Sequence, residues 1–86
     1  MRDNSSDGAA SRLGTQLRAR RKALRLTQQE VAELAGIAQR TVSLLETGGA
    51  DTRLETVTAV ASVLGLEIVA VDHERAPEIL AAEGRA

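Results

Sequence analysis

The spacing of apolar residues divides the chain into four helical stretches and one extended one. From residue 11 onward Leu13, Leu17, Ala23 and Leu24 fall near helical spacing, with Arg12, Arg18, Arg20, Arg21, Lys22 and Arg25 between them, which predicts a first helix over 11–25. Thr27-Gln28-Gln29-Glu30 has the spacing of a capping box, in which the Thr27 hydroxyl accepts from the Glu30 amide and the Glu30 carboxylate accepts from the Thr27 amide. A second helix then runs through Val31, Leu34 and Ala35, with Leu26 ahead of the cap to pack on Val31 or Leu34, and Gly36 stops it. A short third helix is predicted over 39–47, with Val42 and Leu45 inward, Ile37 at its entrance and Gly48-Gly49 breaking it. Thr52-Arg53-Leu54-Glu55 repeats the capping-box spacing, and Leu54, Val57, Val60, Ala61 and Leu64 predict a fourth helix that ends at Gly65.

At residue 66 the pattern changes. Leu66, Ile68 and Ala70 alternate with Glu67, Val69 and Val71, three of these residues are β-branched, and Asp72 closes the run, so residues 66–72 read as one strand. Residues 1–10 are rich in Ser, Asp, Asn and Gly without an apolar period and read as a disordered lead-in. Residues 73–86 read as a tail, flexible or folding on a partner, with Pro77 at a first helical position and too few residues beyond it for a stable isolated helix. The expected organisation is therefore a lead-in over 1–10, a helical domain over 11–65, a strand over 66–72 and the tail.

Composition narrows the chemistry. The 86 residues include no Cys, no aromatic residue and one His, so a disulfide framework, a thiol nucleophile and a Cys/His zinc site are all out of reach. His73 reads as an exposed residue after the strand, and neither a metal nor a cofactor is expected. The carboxylates Glu30, Glu33 and Glu46 have a cap, a surface and an ion pair to serve, and no nucleophile has a base at hand, so catalysis is not expected. Nothing approaches the roughly 18 consecutive apolar residues of a membrane span, and a reducing, cytoplasmic setting is expected. A core without aromatics in so short a chain also makes dimerisation a reasonable source of further burial. The net charge of −1 conceals an asymmetry: residues 11–47 hold seven basic and three acidic side chains, and residues 48–86 hold three basic and seven acidic. The basic half suits a polyanion.

The run from Thr27 to Gly48, TQQEVAELAGIAQRTVSLLETG, carries the strongest signal. It resembles the helix-turn-helix of the Xre, or phage-repressor, family, whose pattern is T-Q-x-x-x-A-x-x-A-G-[IV]-x-x-x-T-[IV]-S-x-[IL]-E-x-G. Each position has a physical reason: Ala32 is small where the helices cross, Gly36 makes the turn, and Ile37 and Val42 fill the angle so that the next helix stands proud of the body. The resemblance implies a mainly all-α, lambda-repressor-like bundle of four helices that binds DNA, with recognition-helix positions Ala38, Gln39, Arg40, Ser43 and Leu44 at the bases. Gln39 suits adenine, Arg40 guanine or a phosphate, Ser43 several edges, and Leu44 an apolar contact such as a thymine methyl. Thr27 and Gln28 at the preceding helix start, with Arg18 and Arg53, are the expected phosphate ligands. Arg21 and Glu46 fall at positions that resemble a structural ion pair. The sequence departs from the pattern at Ala38, where Ser or Thr more often caps the helix, and at Leu44, where a polar residue is usual.

The run from Gly65 to Asp72, GLEIVAVD, resembles the HipB-type antitoxins within this family, in which the strand pairs with its copy in a second subunit. That resemblance implies a homodimer joined by an intersubunit two-stranded sheet through Leu66, Ile68, Val69, Ala70 and Val71. It also implies a palindromic operator and a HipA-like kinase toxin as a further partner, so the chain would be antitoxin and autorepressor of a toxin–antitoxin operon. A free-standing Xre-type regulator and an interaction module that binds no nucleic acid are the alternatives.

Overall fold

The capping box of Thr27 forms as the spacing predicts: Thr27 Oγ1 accepts from the Glu30 amide at 3.0 Å, and the Thr27 amide donates to Glu30 Oε1 at 2.8 Å. That reciprocal pair starts the second of four α-helices, α1 (Ser5–Ala23), α2 (Gln28–Ala35), α3 (Gln39–Thr47) and α4 (Leu54–Val63), in a computed structural model. The structure describes residues 5–48 and 53–72 together with Glu74 and Pro77. Residues 1–4 of the expected lead-in, residues 49–52 with the expected cap residue Thr52, and the tail over 73–86 apart from Glu74 and Pro77 lie outside the described residues. The fold is all-α, and among the described residues there is no strand and no helix long and apolar enough to cross a membrane.

Leu17 from α1, Val31 and Ala32 from α2, Val42 and Leu45 from α3, and Val57, Val60 and Ala61 from α4 form the core with Leu64. Leu13, Leu26, Ala35, Ile37, Val63 and Leu66 pack around it. Fully burying a Val or Leu side chain contributes roughly 1.5–3 kcal/mol relative to leaving it exposed. The α1 helix packs on α3, and α2 packs on both α3 and α4.

Several boundaries and faces differ from expectation. The α1 helix begins at Ser5, inside the segment expected to be irregular through residue 10, and it passes through Ala9 and Ala10, the residue type with the highest intrinsic helix propensity. Its buried stripe is Gly14, Leu17 and Arg21, and Leu24, expected inward, is exposed. Leu34 and Leu54 were expected to face the core, yet they are 67% and 69% exposed, because core closure falls to Val31 and Ala32 in α2 and to Val57, Val60 and Ala61 in α4. The cap of α4 falls one residue after the predicted Thr52: Arg53 is its N-cap, extended at φ −68° and ψ 144°, without a side-chain cap bond.

Three helices end in the same device, a left-handed residue followed by a backbone amide that reaches five residues back into the helix. Gly36 precedes the bond from Ile37 N to Ala32 O at 3.0 Å, and Gly65 precedes the bond from Leu66 N to Ala61 O at 2.8 Å. At the end of α1 the left-handed residue is Arg25, at φ 59°, ahead of the bond from Leu26 N to Arg21 O at 3.1 Å. Beyond Gly65, residues 66–72 form neither helix nor strand in the single chain, and Ile68, Val69 and Val71 are exposed.

Candidate nucleic-acid interface

The α3 helix is the functional element, and its position follows from how it is anchored. Val42 and Leu45 fix one face in the core, Gly36 turns the chain between α2 and α3, and Gly48, at φ 69°, ends the helix. The opposite face carries Ala38, Gln39, Arg40 and Leu44, all exposed, whereas Ser43 is half-buried rather than fully presented. Ala38 is the N-cap, extended and without a side-chain cap bond, so the departure from a Ser or Thr at this position leaves the α3 amides without the side-chain acceptor that α2 has.

Beneath this face lies a continuous hydrogen-bonded chain of polar side chains. Arg21 donates from Nε to Glu46 Oε2 at 2.6 Å and from Nη2 to Glu46 Oε1 at 3.0 Å, and its Nη1 donates to the Leu26 carbonyl at 2.8 Å. Glu46 Oε1 also accepts from Gln28 Nε2 at 3.0 Å, and Gln28 Oε1 accepts from Gln39 Nε2 at 2.8 Å. The expected ion pair is thus present and bidentate, and it joins α1 to the last turn of α3. Expected phosphate ligand Gln28 and expected base reader Gln39 are in contact with one another. Both Arg21 and Glu46 are 9% exposed, and among the described residues no buried side-chain nitrogen or oxygen lacks a partner.

Burial by itself would raise the Glu46 pKa, but the hydrogen bonds from Arg21 and then Gln28, with the positive charges of Arg21 and Arg18, outweigh it and hold the carboxyl below the ordinary carboxylate range. The hydrogen bond from Glu46 is the main reason that Arg21 holds its proton more firmly than an exposed arginine, against the opposing cost of burial. The pair is therefore fully charged at neutral pH. Arg18, an expected phosphate ligand, is exposed and near enough to Glu46 for its charge to act there.

The other basic residues divide by role. Arg20 donates from Nε to the Leu64 carbonyl at 2.9 Å, tying α1 to the end of α4, so this member of the basic stripe is structural. Arg53 is exposed at the start of α4, 3.7 Å from Glu55. The Thr27 amide is committed to Glu30, which leaves the Thr27 hydroxyl hydrogen for a phosphate. Gly14 carries a role the sequence reading missed: a β-carbon there would sit 2.7 Å from the Glu46 backbone oxygen and closer still to that of Leu45. The signal was present as a glycine three positions before Leu17 in an otherwise helical pattern, where a small residue permits a close crossing.

A bundle that holds a short helix proud on a buried ion pair, with amide, guanidinium and hydroxyl side chains along that helix, defines a helix-turn-helix DNA-binding regulator. The chain belongs to the Xre-type helix-turn-helix family, whose model, described as helix-turn-helix, matches residues 17–71. Among solved structures, the restriction-modification controller protein C.AhdI from Aeromonas hydrophila is similar to it at 28% sequence identity, with a TM-score of 0.65, covering 70% of this chain and 91% of that one. No curated protein matches this chain. The match is to the broad family and does not distinguish the types within it.

Proposed function

We propose that this chain is a homodimeric, sequence-specific transcriptional repressor that binds a palindromic operator in double-stranded DNA, in the cytoplasm and on the nucleoid. The observation that carries the reading is α3, anchored by Val42, Leu45 and the Arg21–Glu46 pair and presenting Ala38, Gln39, Arg40 and Leu44 outward. Gln39 reads adenine, Arg40 reads guanine or holds a phosphate, half-buried Ser43 reaches an edge at closest approach, and Ala38 and Leu44 make apolar contacts such as with a thymine methyl. Thr27, Gln28, Arg18 and Arg53 hold phosphates and so fix register without reading sequence.

Dimerisation falls to residues 66–72. Ile68, Val69 and Val71 are exposed, and beyond Leu66 no backbone hydrogen bond ties this segment to the other described residues. Pairing with the same segment of a second copy, through Leu66, Ile68, Val69, Ala70 and Val71, satisfies both the apolar surface and the amides and carbonyls. The two α3 helices then address successive major grooves about 34 Å apart. The order of residues 65–72 favours a narrower reading, in which the protein is an antitoxin that also binds a HipA-like kinase toxin. The likeness to a restriction-modification controller protein favours the alternative, a free-standing regulator.

Footprinting of the purified protein on its own upstream region tests the proposal. Two protected half-sites related by a dyad are expected, and no protection of any upstream or promoter fragment at low salt overturns it. Repeating the footprint with the product of a neighbouring kinase-like gene separates the two narrower readings: a larger complex that retains the toxin marks the antitoxin, and an unchanged complex marks the free-standing regulator.

A further inference from the structure

The side-chain chain from Arg21 to Gln39 has a direction. Glu46 offers only acceptors, so Gln28 must turn its amide nitrogen toward Glu46 and its carbonyl toward Gln39. Gln39 must then turn its own nitrogen back to Gln28, which uses one of its two N–H groups. One N–H and the carbonyl remain for a ligand. We propose that Glu46 is a positioning residue for base recognition: through Gln28 it sets the orientation of the Gln39 carboxamide so that α3 presents one donor and one acceptor to the major groove.

That pairing matches adenine, which offers an N6–H donor and the N7 acceptor, and opposes guanine, whose O6 and N7 are both acceptors. An unrestrained glutamine could turn both hydrogens of its amide toward guanine. Here the orientation is held from inside the protein, at the far end by Arg21, which itself donates to both Glu46 oxygens and to the Leu26 carbonyl. The Arg21–Glu46 pair therefore acts on specificity as well as on the packing of α1 against α3. The inference rests on the reading of Gln39 as a base reader.

Glu46→Gln removes the constraint without changing the shape of the side chain. Either placement of the amide nitrogen sets it against an Arg21 N–H, at Nε or at Nη2, so the amide no longer dictates which end of Gln28 it meets. With Gln28 free to turn, Gln39 can present both N–H groups outward, the complement of guanine. Gln28→Leu cuts the chain while leaving Arg21 and Glu46 in place, so it serves as an independent variant if loss of the buried charge weakens the fold.

The experiment is selection of the full-length protein and its variants on a randomised duplex library, with the adenine-to-guanine ratio read at the position that Gln39→Ala affects. Folding of each variant is checked by circular dichroism. Both Glu46→Gln and Gln28→Leu are expected to lower that ratio by about 5- to 150-fold, the discrimination a bidentate pair supplies. In a Gln39→Ala background neither should lower it further. A purely structural role for Glu46 predicts weaker binding to every sequence with the ratio unchanged. If Gln39→Ala shifts the preference but Gln28→Leu and folded Glu46→Gln do not, the positioning role is overturned and the base-reading role of Gln39 stands. If Gln39→Ala alters no position, the base-reading role itself fails and the inference with it.

Discussion

The helix-turn-helix body and the segment over 66–72 are built from the same aliphatic residues and treat them in opposite ways. In the body, Val31, Val42, Leu45 and Val60 are buried, and the polar groups carried inward, Arg21 and Glu46, are answered by one another and by Gln28. In the segment, Val69 is 68% exposed, and the backbone after Leu66 has no partner among the described residues. The body is a closed system whose stability rests on internal contacts. The segment gains little from the single chain, and its alternating pattern acquires a physical purpose only against something outside it. Perturbations that strike the body should therefore appear as lost folding, and those in the segment as lost assembly.

The largest effect is expected at Glu46. Replacing it with Ala leaves the Arg21 guanidinium buried without its counter-charge, and the expected loss is about 3–5 kcal/mol, measured by urea denaturation. The same group gives the body an acid limit. Because its folded pKa lies below the ordinary value, the stability it contributes is fully present above the ordinary carboxylate range and is lost as pH falls from there through the depressed folded value. The stability difference between the wild type and Glu46→Gln should therefore shrink on acidification through that window. A difference constant with pH would show that the Glu46 charge contributes nothing to folding.

Second in size is Gly14→Ala. The obstructing atoms are the backbone oxygens of Leu45 and Glu46 rather than mobile side-chain ends, so α1 and α3 must move apart. A loss of about 1–3 kcal/mol is expected, with the thermal midpoint as readout. If the variant is as stable as the wild type, the crossing is looser than the structure has it.

How legible these features were depended on whether they obeyed a local rule. The Thr27 box, the glycine that ends α2 and the core positions of α3 follow from short-range spacing, and the structure has them where that spacing puts them. Leu34 and Leu54 show the limit of periodicity: an apolar residue on a helix contributes to the pattern whether or not the tertiary arrangement covers it. Arg21 and Glu46 were marked only by resemblance to a family, since no hydrophobic pattern assigns a charged pair to the interior. The link from Gln28 to Gln39 was invisible, because it joins residues eleven positions apart that meet only once α2 and α3 have docked.

Third, the segment should respond to Ile68→Glu without involving the body. Ile68 is 38% exposed in the single chain, so the contact at stake is the remaining part of a side chain whose full burial contributes roughly 1.5–3 kcal/mol, together with the cost of placing a carboxylate in an apolar seam. Sedimentation is expected to show a dimer becoming a monomer while the circular dichroism spectrum remains helical. A dimer that survives the substitution places the interface elsewhere.

The smallest effect has the opposite sign and separates the requirements of folding from the residue the chain uses. The ends of α1, α2 and α4 share one hydrogen-bonding arrangement, yet α2 and α4 place glycine at the left-handed position and α1 places Arg25 there at φ 59°. A residue with a β-carbon costs roughly 1–2 kcal/mol in that conformation, and glycine returns part of this gain through the greater freedom of its unfolded chain. Arg25→Gly is therefore expected to stabilise the protein by about 0.5–1 kcal/mol, or a few degrees in thermal midpoint at this chain length. The side chain is exposed, so no core packing is lost in the exchange. A lower midpoint for the variant would mean that Arg25 contributes a favourable interaction larger than its backbone strain.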